Sequence, residues 1–439
     1  MARKKYLIWN EEMETMPRNE LQKLQLKRFQ ETVERVYNKV PFYKGLFDDA
    51  GVKPADLKSM EDVAKFPFTV KQDLRNNYPF GPFAVPLEEV TQIHATSGTT
   101  GKMTLTGYSD NDMKVWAEVM ARVYAAGGTK KGDIIHNGYG YGLFTGGLGF
   151  HLGAHEVGAT VVPVSGGLTK RQVTIMQDFG STVLTCTPSY ALVLAEAVEE
   201  AGLDPKKDLK LRIGFFGAEP WTDKMREEIA KRLALEAFDI FGLAEIIGPG
   251  VSVECPVHNG LHIAEDHFYP EIVDPDTGQP LPYGTPGELV FTTLTKEAFP
   301  LMRYRTRDRT VLHAEKCECG RTVVRMGKIM GRTDDMLIIR GVNVFPSQIE
   351  DVLLGFAELS PHYIIYVDRP KDMDVLTVEV EASEKLFNQG WDTLKEMEGK
   401  VKKGLAEALY VSSNVNIKEP LGIQRSQGKA VRVVDRREP

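Results

Sequence analysis

The chain has 439 residues, 42% of them hydrophobic and 26% charged, which is the balance of a globular protein and too much chain for one ordinary core. Its 54 basic residues are outnumbered by 61 acidic ones, a formal net charge of -7, so a basic nucleic-acid-binding surface is not expected, although local loops can still hold a small polyanion. No apolar run approaches the length that spans a bilayer and residues 1–20 lack the apolar centre of a secretion signal, so the expectation is a cytoplasmic protein with no membrane partner.

In chain order, Leu21, Leu24, Phe29, Val33 and Val36 recur at helical spacing, and the first hundred residues read as helical. The glycine-broken stretch from Gly146 reads as a loop and helix start. Short β-branched runs at 160–164, 182–186 and 211–216 predict strands, with amphipathic helices predicted at 170–179, 190–201 and 223–235. Such a βαβα rhythm implies a mostly parallel sheet with helices on its faces. From 271 to 293 turn sequences alternate with short strands, which predicts an antiparallel extension. The pattern changes again near Gly331. Beyond it come a strand at 336–340, a helix at 346–354, strands at 363–367 and 375–380, and a long helix at 391–409. The expected fold is α/β: a large N-terminal domain of mixed and parallel sheets with helices, 1–332, then a small α+β domain, 333–439.

Five local features carry chemistry. Thr96-Ser-Gly-Thr-Thr-Gly-Lys102 leaves backbone N–H groups bare beside several hydroxyls and a lysine, which is what a polyphosphate requires, though its spacing is not that of the Walker loop. Gly217-Ala-Glu-Pro-Trp221 directly follows a predicted strand, where open α/β sheets bind ligands. Phe241-Gly-Leu-Ala-Glu245 sets an aromatic ring and a carboxylate four residues apart, suited to a base and to Mg²⁺ between phosphate oxygens. Tyr304-Arg-Thr-Arg-Asp308, followed by Gly331-Arg-Thr-Asp-Asp, offers a carboxylate for a ribose diol, although such charge clusters are commonly surface ion pairs. Arg425-Ser-Gln-Gly-Lys429-Ala places a lone glycine-flanked lysine near the C-terminus, which by spacing alone is a solvated tail.

Together and in this order the five features resemble the adenylate-forming superfamily of acyl-CoA synthetases, adenylation domains and luciferases. Within it they are most similar to the phenylacetate–CoA ligase family. The resemblance extends over nearly the whole chain, through Val36-Tyr-Asn-Lys-Val-Pro-Phe-Tyr43, the run Phe66 to Leu74, Phe241 to Val251 and Gly341 to Glu350. It implies that Ser97, Gly98, Thr99, Thr100, Gly101 and Lys102 hold the β- and γ-phosphates of ATP. It implies that Gly217, Ala218, Glu219 and Pro220 line the adenine beside Phe241 and Gly242, and that Glu245 binds Mg²⁺. By the same resemblance Asp308 and Arg332 hold the ribose, Asp334 is the hinge of a mobile small domain, and Lys429 is the catalytic lysine. The expected reaction forms an acyl-AMP from an aryl-acetic acid such as phenylacetate and passes the acyl group to coenzyme A, releasing AMP and pyrophosphate. An adenylating enzyme with a different acceptor is the alternative, and a non-catalytic nucleotide-binding protein fits poorly with Lys429 and Glu245 both present. Met103, Gln427 and Val431 depart from the family pattern without removing a catalytic group. A homodimer is compatible with the sequence.

Two further readings concern a metal and the acid. The cysteines are Cys186, Cys255, Cys317 and Cys319, too few for a disulfide framework. Cys255-Pro-Val-His258 and Cys317-Glu-Cys319 have short knuckle spacings that suit tetrahedral structural Zn²⁺, with His262 and His267 as reserve ligands. The glycine-rich run from Asn137 lets a ligand approach the backbone. By resemblance it borders the acid pocket, with Tyr139, Tyr141, Phe144 and Gly147 as its candidate wall, although a loop packing its own tyrosines is an equal reading.

Overall fold

The computed structural model describes residues 6–96, 103–332, 337–340, 342–370, 373–426 and 429–437. The helical spacing near the start gives the helix Arg18–Lys39, which buries Leu21, Phe29, Val33 and Val36 on one face. The helix Pro41–Asp49 follows, begun by a proline at the position where a missing N–H is harmless. Extended helicity ends there. Between residues 50 and 96 the chain forms short turns, the helix Lys71–Asn76 and the strand Gln92–Ala95, because Gly and Pro interrupt the apolar period.

The expected parallel sheet is present as part of a nine-stranded sheet. Its five parallel members lie in the spatial order Glu236–Leu243, Ile213–Gly217, Val183–Cys186, Ile134–Asn137 and Thr160–Val162. Helices Thr169–Phe179, Pro188–Glu200 and Asp223–Leu233 connect or follow these strands. The segment from Gly146 runs as a helix to Glu156. Beyond Glu236–Leu243 the sheet turns antiparallel through Ile247–Glu254 and Leu261–Ile263. A separate antiparallel sheet joins Phe268–Val273, Gly287–Thr293, Tyr304–Thr310 and Gly331–Arg332.

The C-terminal part has its own core. Strands Ser413–Lys418, Val375–Ala382, Leu359–Asp368 and Val433–Asp435 form one sheet, packed with helices Pro346–Leu353 and Trp391–Leu409 around Ile349, Ile365, Val378 and Val401. The fold is thus a large N-terminal α/β domain and a small α+β C-terminal domain. Among the described residues no helix is long and apolar enough to cross a membrane.

Candidate functional site

All five parallel strands point their carboxyl ends the same way, and the loops that leave four of them form the wall of one cleft of about 1280 Å³. Gly138 to Gly140 enter from the strand Ile134–Asn137, Thr187 from Val183–Cys186, and Ala218 to Trp221 from Ile213–Gly217. Phe241, Gly242 and Glu245 come from the end of Glu236–Leu243. Asp308 and Arg332 close another side from the second sheet, and Lys429 arrives from the small domain. The volume exceeds that of a typical single-ligand pocket, which leaves room for a nucleotide and a second substrate.

Local conformation explains the strand-end loop at 217–220. A Cβ on Gly217 would stand 2.4 Å from the Ile240 carbonyl oxygen, so only glycine lets the two strands end this close. Ala218 then takes the left-handed conformation at φ 71°, a strain of the sort proteins keep at ligand sites. Glu219 accepts hydrogen bonds from the backbone N–H and hydroxyl of Ser189, and from the Ala430 N–H at 3.0 Å.

Charged side chains pair within the cleft. Asp308 and Arg332 face each other in strand register, with Arg332 donating at 3.3 Å. Glu245 is buried, with Lys71 Nζ at 3.2 Å from its carboxylate and the buried Tyr304 beside it. Lys429 reaches into the cleft with its ammonium 5.4 Å from the centre of the Phe144 ring. Crowding by protein pushes its ammonium below the ordinary lysine range, a shift that the Glu219 and Glu245 charges partly offset. Lys296, fully buried behind Glu245, is pushed down to about 7 by the same desolvation.

The expected site residues divide. Ala218, Glu219, Pro220, Phe241, Gly242, Glu245, Asp308, Arg332, Tyr139, Phe144 and Lys429 share the cleft. Gly217 supports it from the strand end. Ser97 to Lys102 and Asp334 lie outside the described residues, although Thr96 and Met103, which flank the former, both line the cleft. Tyr141 and Gly147 do not belong to its wall. The Tyr141 hydroxyl is held by Asn137 Nδ2 at 2.7 Å and His151 Nδ1 at 3.2 Å. Gly147 is a packing glycine, since a Cβ there would meet the Gly140 carbonyl oxygen at 2.6 Å. Tyr139 is buried and stacked on Phe150, 5.0 Å between ring centres, as one wall of the cleft.

Asp239 and Lys71 in the cleft, and Lys296 behind it, are not announced by the sequence. Asp239 sits two residues before Phe241, and the period of two in a strand is the signal that puts both on the cleft side. Burial and the neighbouring Glu254 push its carboxyl up to about 7, while Trp221 Nε1 donates to it at 2.9 Å. Lys71 lies in the run Phe66 to Leu74, but nothing in that run announces a partner 174 positions away. Lys296 has the same history.

Away from the cleft, four possible metal ligands converge. Cys255, His262, Cys317 and Cys319 are buried, with donor atoms within 4.8 Å of one another. The Cys255 and Cys317 sulfurs are 3.8 Å apart, and His262 Nε2 is 3.4 Å from Cys255 and 3.5 Å from Cys319. A disulfide needs about 2.05 Å, whereas a tetrahedral centre with sulfur ligands at about 2.3 Å separates them by about 3.8 Å. Arg321 Nη1 donates to Cys319 at 3.6 Å, and the hydrogen bonds from Cys255, Cys317 and His262 hold the Cys319 thiol well below the usual range.

The histidine of this cluster is His262, not His258. The His258 N–H bonds back to the Cys255 carbonyl at 2.9 Å, and this tight turn aims its ring away from the sulfurs. The ring lies instead between Glu236 at 3.3 Å and Glu254 at 3.4 Å. His262 comes from the strand Leu261–Ile263, which faces Arg325 in register and so stands over the 317–319 loop. His267 pairs with Asp266 at 3.1 Å and Thr295 at 2.7 Å and takes no part.

Residues 6–294 match the family model of the AMP-binding enzymes, and residues 341–437 match that of the AMP-binding enzyme C-terminal domain. The phenylacetate-coenzyme A ligase of Thermus thermophilus is 51% identical over 98% of this chain and 100% of its own length. That of Pseudomonas putida is 50% identical over 97% of this chain and 96% of its own. A crystal structure of 2-hydroxyisobutyryl-CoA ligase in the postadenylation state, with 2-HIB-AMP, is 30% identical and superposes with a TM-score of 0.93 over 99% of this chain and 93% of that one. The same ligase in the thioesterification state, with 2-HIB-AMP and CoA, gives 0.74 over 100% and 94%. The two domains of this protein are therefore arranged as in the former state. The chain belongs to the AMP-binding enzyme family and, within it, to the phenylacetate–coenzyme A ligases.

Proposed function

We propose that this protein is an AMP-forming acid–thiol ligase that activates an aryl-acetic acid, phenylacetate foremost, as its acyl-adenylate and transfers the acyl group to coenzyme A. One observation carries the reading: Lys429, from a separate domain, enters the same cleft as Glu245 and the Asp308–Arg332 pair. The cleft's aromatic wall of Tyr139, Phe144 and Phe150 supports an aryl substrate.

In the first half-reaction the acid's carboxylate attacks the α-phosphate of ATP, which brings two anions together. Lys429 supplies its ammonium to the negative charge that grows there, a preorganised term usually among the largest in catalysis. Asp308 accepts from the ribose hydroxyls and Arg332 orients it. Ala218, Glu219, Pro220, Phe241 and Gly242 enclose the adenine, with Gly217 shaping the strand end beneath. Ser97 to Lys102 take the β- and γ-phosphates. Glu245 is the residue that would hold Mg²⁺, which when bound neutralises the departing pyrophosphate. In the second half-reaction the small domain turns about Asp334, Lys429 withdraws, and the coenzyme A thiol displaces AMP. We place the domain boundary at 332/333, which is supported by the separate C-terminal core and by the two family matches on either side of it.

Cys255, His262, Cys317 and Cys319 are the set that would hold a structural Zn²⁺, a ligand chemistry of soft thiolates and one imidazole that suits it. Four reduced cysteines fit work in the cytoplasm. The test of function is a panel of carboxylic acids assayed for pyrophosphate release with and without coenzyme A. Phenylacetate-dependent AMP and thioester formation is expected. ATP–pyrophosphate exchange with no coenzyme A-dependent product would overturn the acceptor, and no exchange with any aryl acid would overturn the reaction.

A further inference from the structure

Lys296 is 4% exposed, and the three donors of its ammonium go to three neutral oxygens: Ile246 O at 2.6 Å, Thr106 Oγ1 at 2.7 Å and Glu245 O at 3.2 Å. The Tyr108 ring lies against the charge, 4.5 Å from its centre. Burying an ammonium on neutral acceptors is costly, and packing alone would be served by a methionine of the same length.

The three acceptors belong to two different pieces of the cleft. Thr106 lies on Leu105–Tyr108, paired with Gln92–Ala95, and the connection between these two strands contains the Ser97 to Lys102 run. Glu245 and Ile246 form the turn between Glu236–Leu243 and Ile247–Glu254. Lys296 itself is fixed from a third direction, because the N–H groups of Glu297 and Ala298 donate to Asp112 at 2.7 and 2.9 Å. One side chain therefore joins the hairpin that carries the glycine–hydroxyl run to the turn that carries the Glu245 carboxylate.

We infer that Lys296 is a positioning residue for adenylation: its three hydrogen bonds tie the Glu245–Ile246 turn to the strand Leu105–Tyr108 and so fix the backbone from which the Glu245 carboxylate would hold Mg²⁺. This rests on the role proposed above for Glu245. Lys296 acts through backbone and Thr106 and touches no reacting atom. Misplacement by about an ångström is enough to lower a rate by about a hundredfold.

The experiment compares Lys296→Met, Glu245→Gln and the double variant in the full-length enzyme. The readouts are ATP–pyrophosphate exchange against Mg²⁺ concentration, thioester formation from preformed acyl-adenylate, and thermal melting. Lys296→Met is expected to slow exchange by about ten- to a hundredfold and to raise the Mg²⁺ needed for half-maximal rate. Thioester formation should stay within about twofold, and the double variant should be no slower than Glu245→Gln, because the two act as one unit. Thr106→Val, which removes one leg and keeps the shape, should give the same signature more weakly, and it decides the matter if Lys296→Met does not fold. Equal loss in both half-reactions, an unchanged Mg²⁺ dependence or additive losses would overturn the positioning role alone. Unchanged exchange in Glu245→Gln would overturn the metal role of Glu245 and the positioning role with it.

Discussion

The Ala430 N–H donates to the Glu219 carboxylate across 3.0 Å, so the residue that follows Lys429 is anchored to the loop leaving the strand Ile213–Gly217. Ser189 holds the other Glu219 oxygen from within the large domain, so the acceptor is fixed before the small domain reaches it. A hydrogen bond to a charged group contributes about 1.5–3 kcal/mol. Glu219→Gln should therefore slow adenylation by about tenfold or more while sparing thioester formation from preformed adenylate, as read by rapid-quench kinetics of each half-reaction. Equal slowing of both would contradict a docking role.

Lys429→Ala should lower adenylation by about 10²–10³-fold, the usual loss when a preorganised charge is removed from a transition state. Thioester formation from synthetic acyl-adenylate should persist, because in the proposed domain rotation Lys429 has left the cleft by then. Full adenylation activity in this variant, measured by pyrophosphate exchange, would remove Lys429 from the mechanism.

The same lysine sets an alkaline limit. In the proposed role only the ammonium helps, and the protein packed around it lowers the pH at which its proton leaves. Adenylation should thus fall as pH rises through a value below the ordinary lysine value of about 10.4. The pH profile of kcat/KM for exchange reports the free enzyme and is the measurement to make. Lys429→Arg should be slower and should lose this limb, since a guanidinium keeps its proton. A limb unmoved by that substitution would belong to another group.

Glu196, on the large-domain helix Pro188–Glu200, takes two partners from the small domain: the Arg425 guanidinium at 3.0 Å and His362 Nε2 at 2.8 Å. These are partly exposed contacts, so each is worth little alone, but both break if the small domain rotates. Glu196→Ala should shift the domain equilibrium several-fold away from the observed arrangement, slowing adenylation modestly and not thioester formation. Distance distributions between labels on the two domains would show the shift, and an unchanged distribution would show that the contacts do not govern it.

The cysteine–histidine cluster separates two neighbouring histidines. Purified protein should carry about one Zn²⁺ per chain, retained by His258→Ala and lost by His262→Ala or Cys319→Ser. Loss should lower the melting temperature by several degrees, because metal-binding energy in such sites is folding energy. Metal analysis of the variants after dialysis checks this, and Zn²⁺ retained in His262→Ala would return the role to another residue.

What was legible along the chain were the elements whose signal is local. The helix Trp391–Leu409 shows its apolar period, and the strands Val183–Cys186 and Ile213–Gly217 show their β-branched and aromatic runs. The early helices were overextended past Asp49 because apolar residues continue there after the helical period has stopped. In one dimension Gly147 reads as pocket wall, because a glycine required by close packing and one required by a ligand look alike there.

The sequence by itself determined the chemistry present: a glycine–hydroxyl run, Glu245, Asp308, Arg332 and a distant Lys429, in an order that specifies adenylate formation. It also determined that three cysteines and a histidine lie at metal-like spacing. Only the tertiary structure decided which histidine faces the sulfurs, because a turn at Cys255 aims His258 away while a strand paired 63 residues downstream presents His262. Only the tertiary structure decided that Lys71 meets Glu245 and that Lys296 joins two loops, since such contacts depend on sheet register and buried geometry. Residue type is written locally, whereas the direction of a side chain is fixed by whatever packs against it from far along the chain.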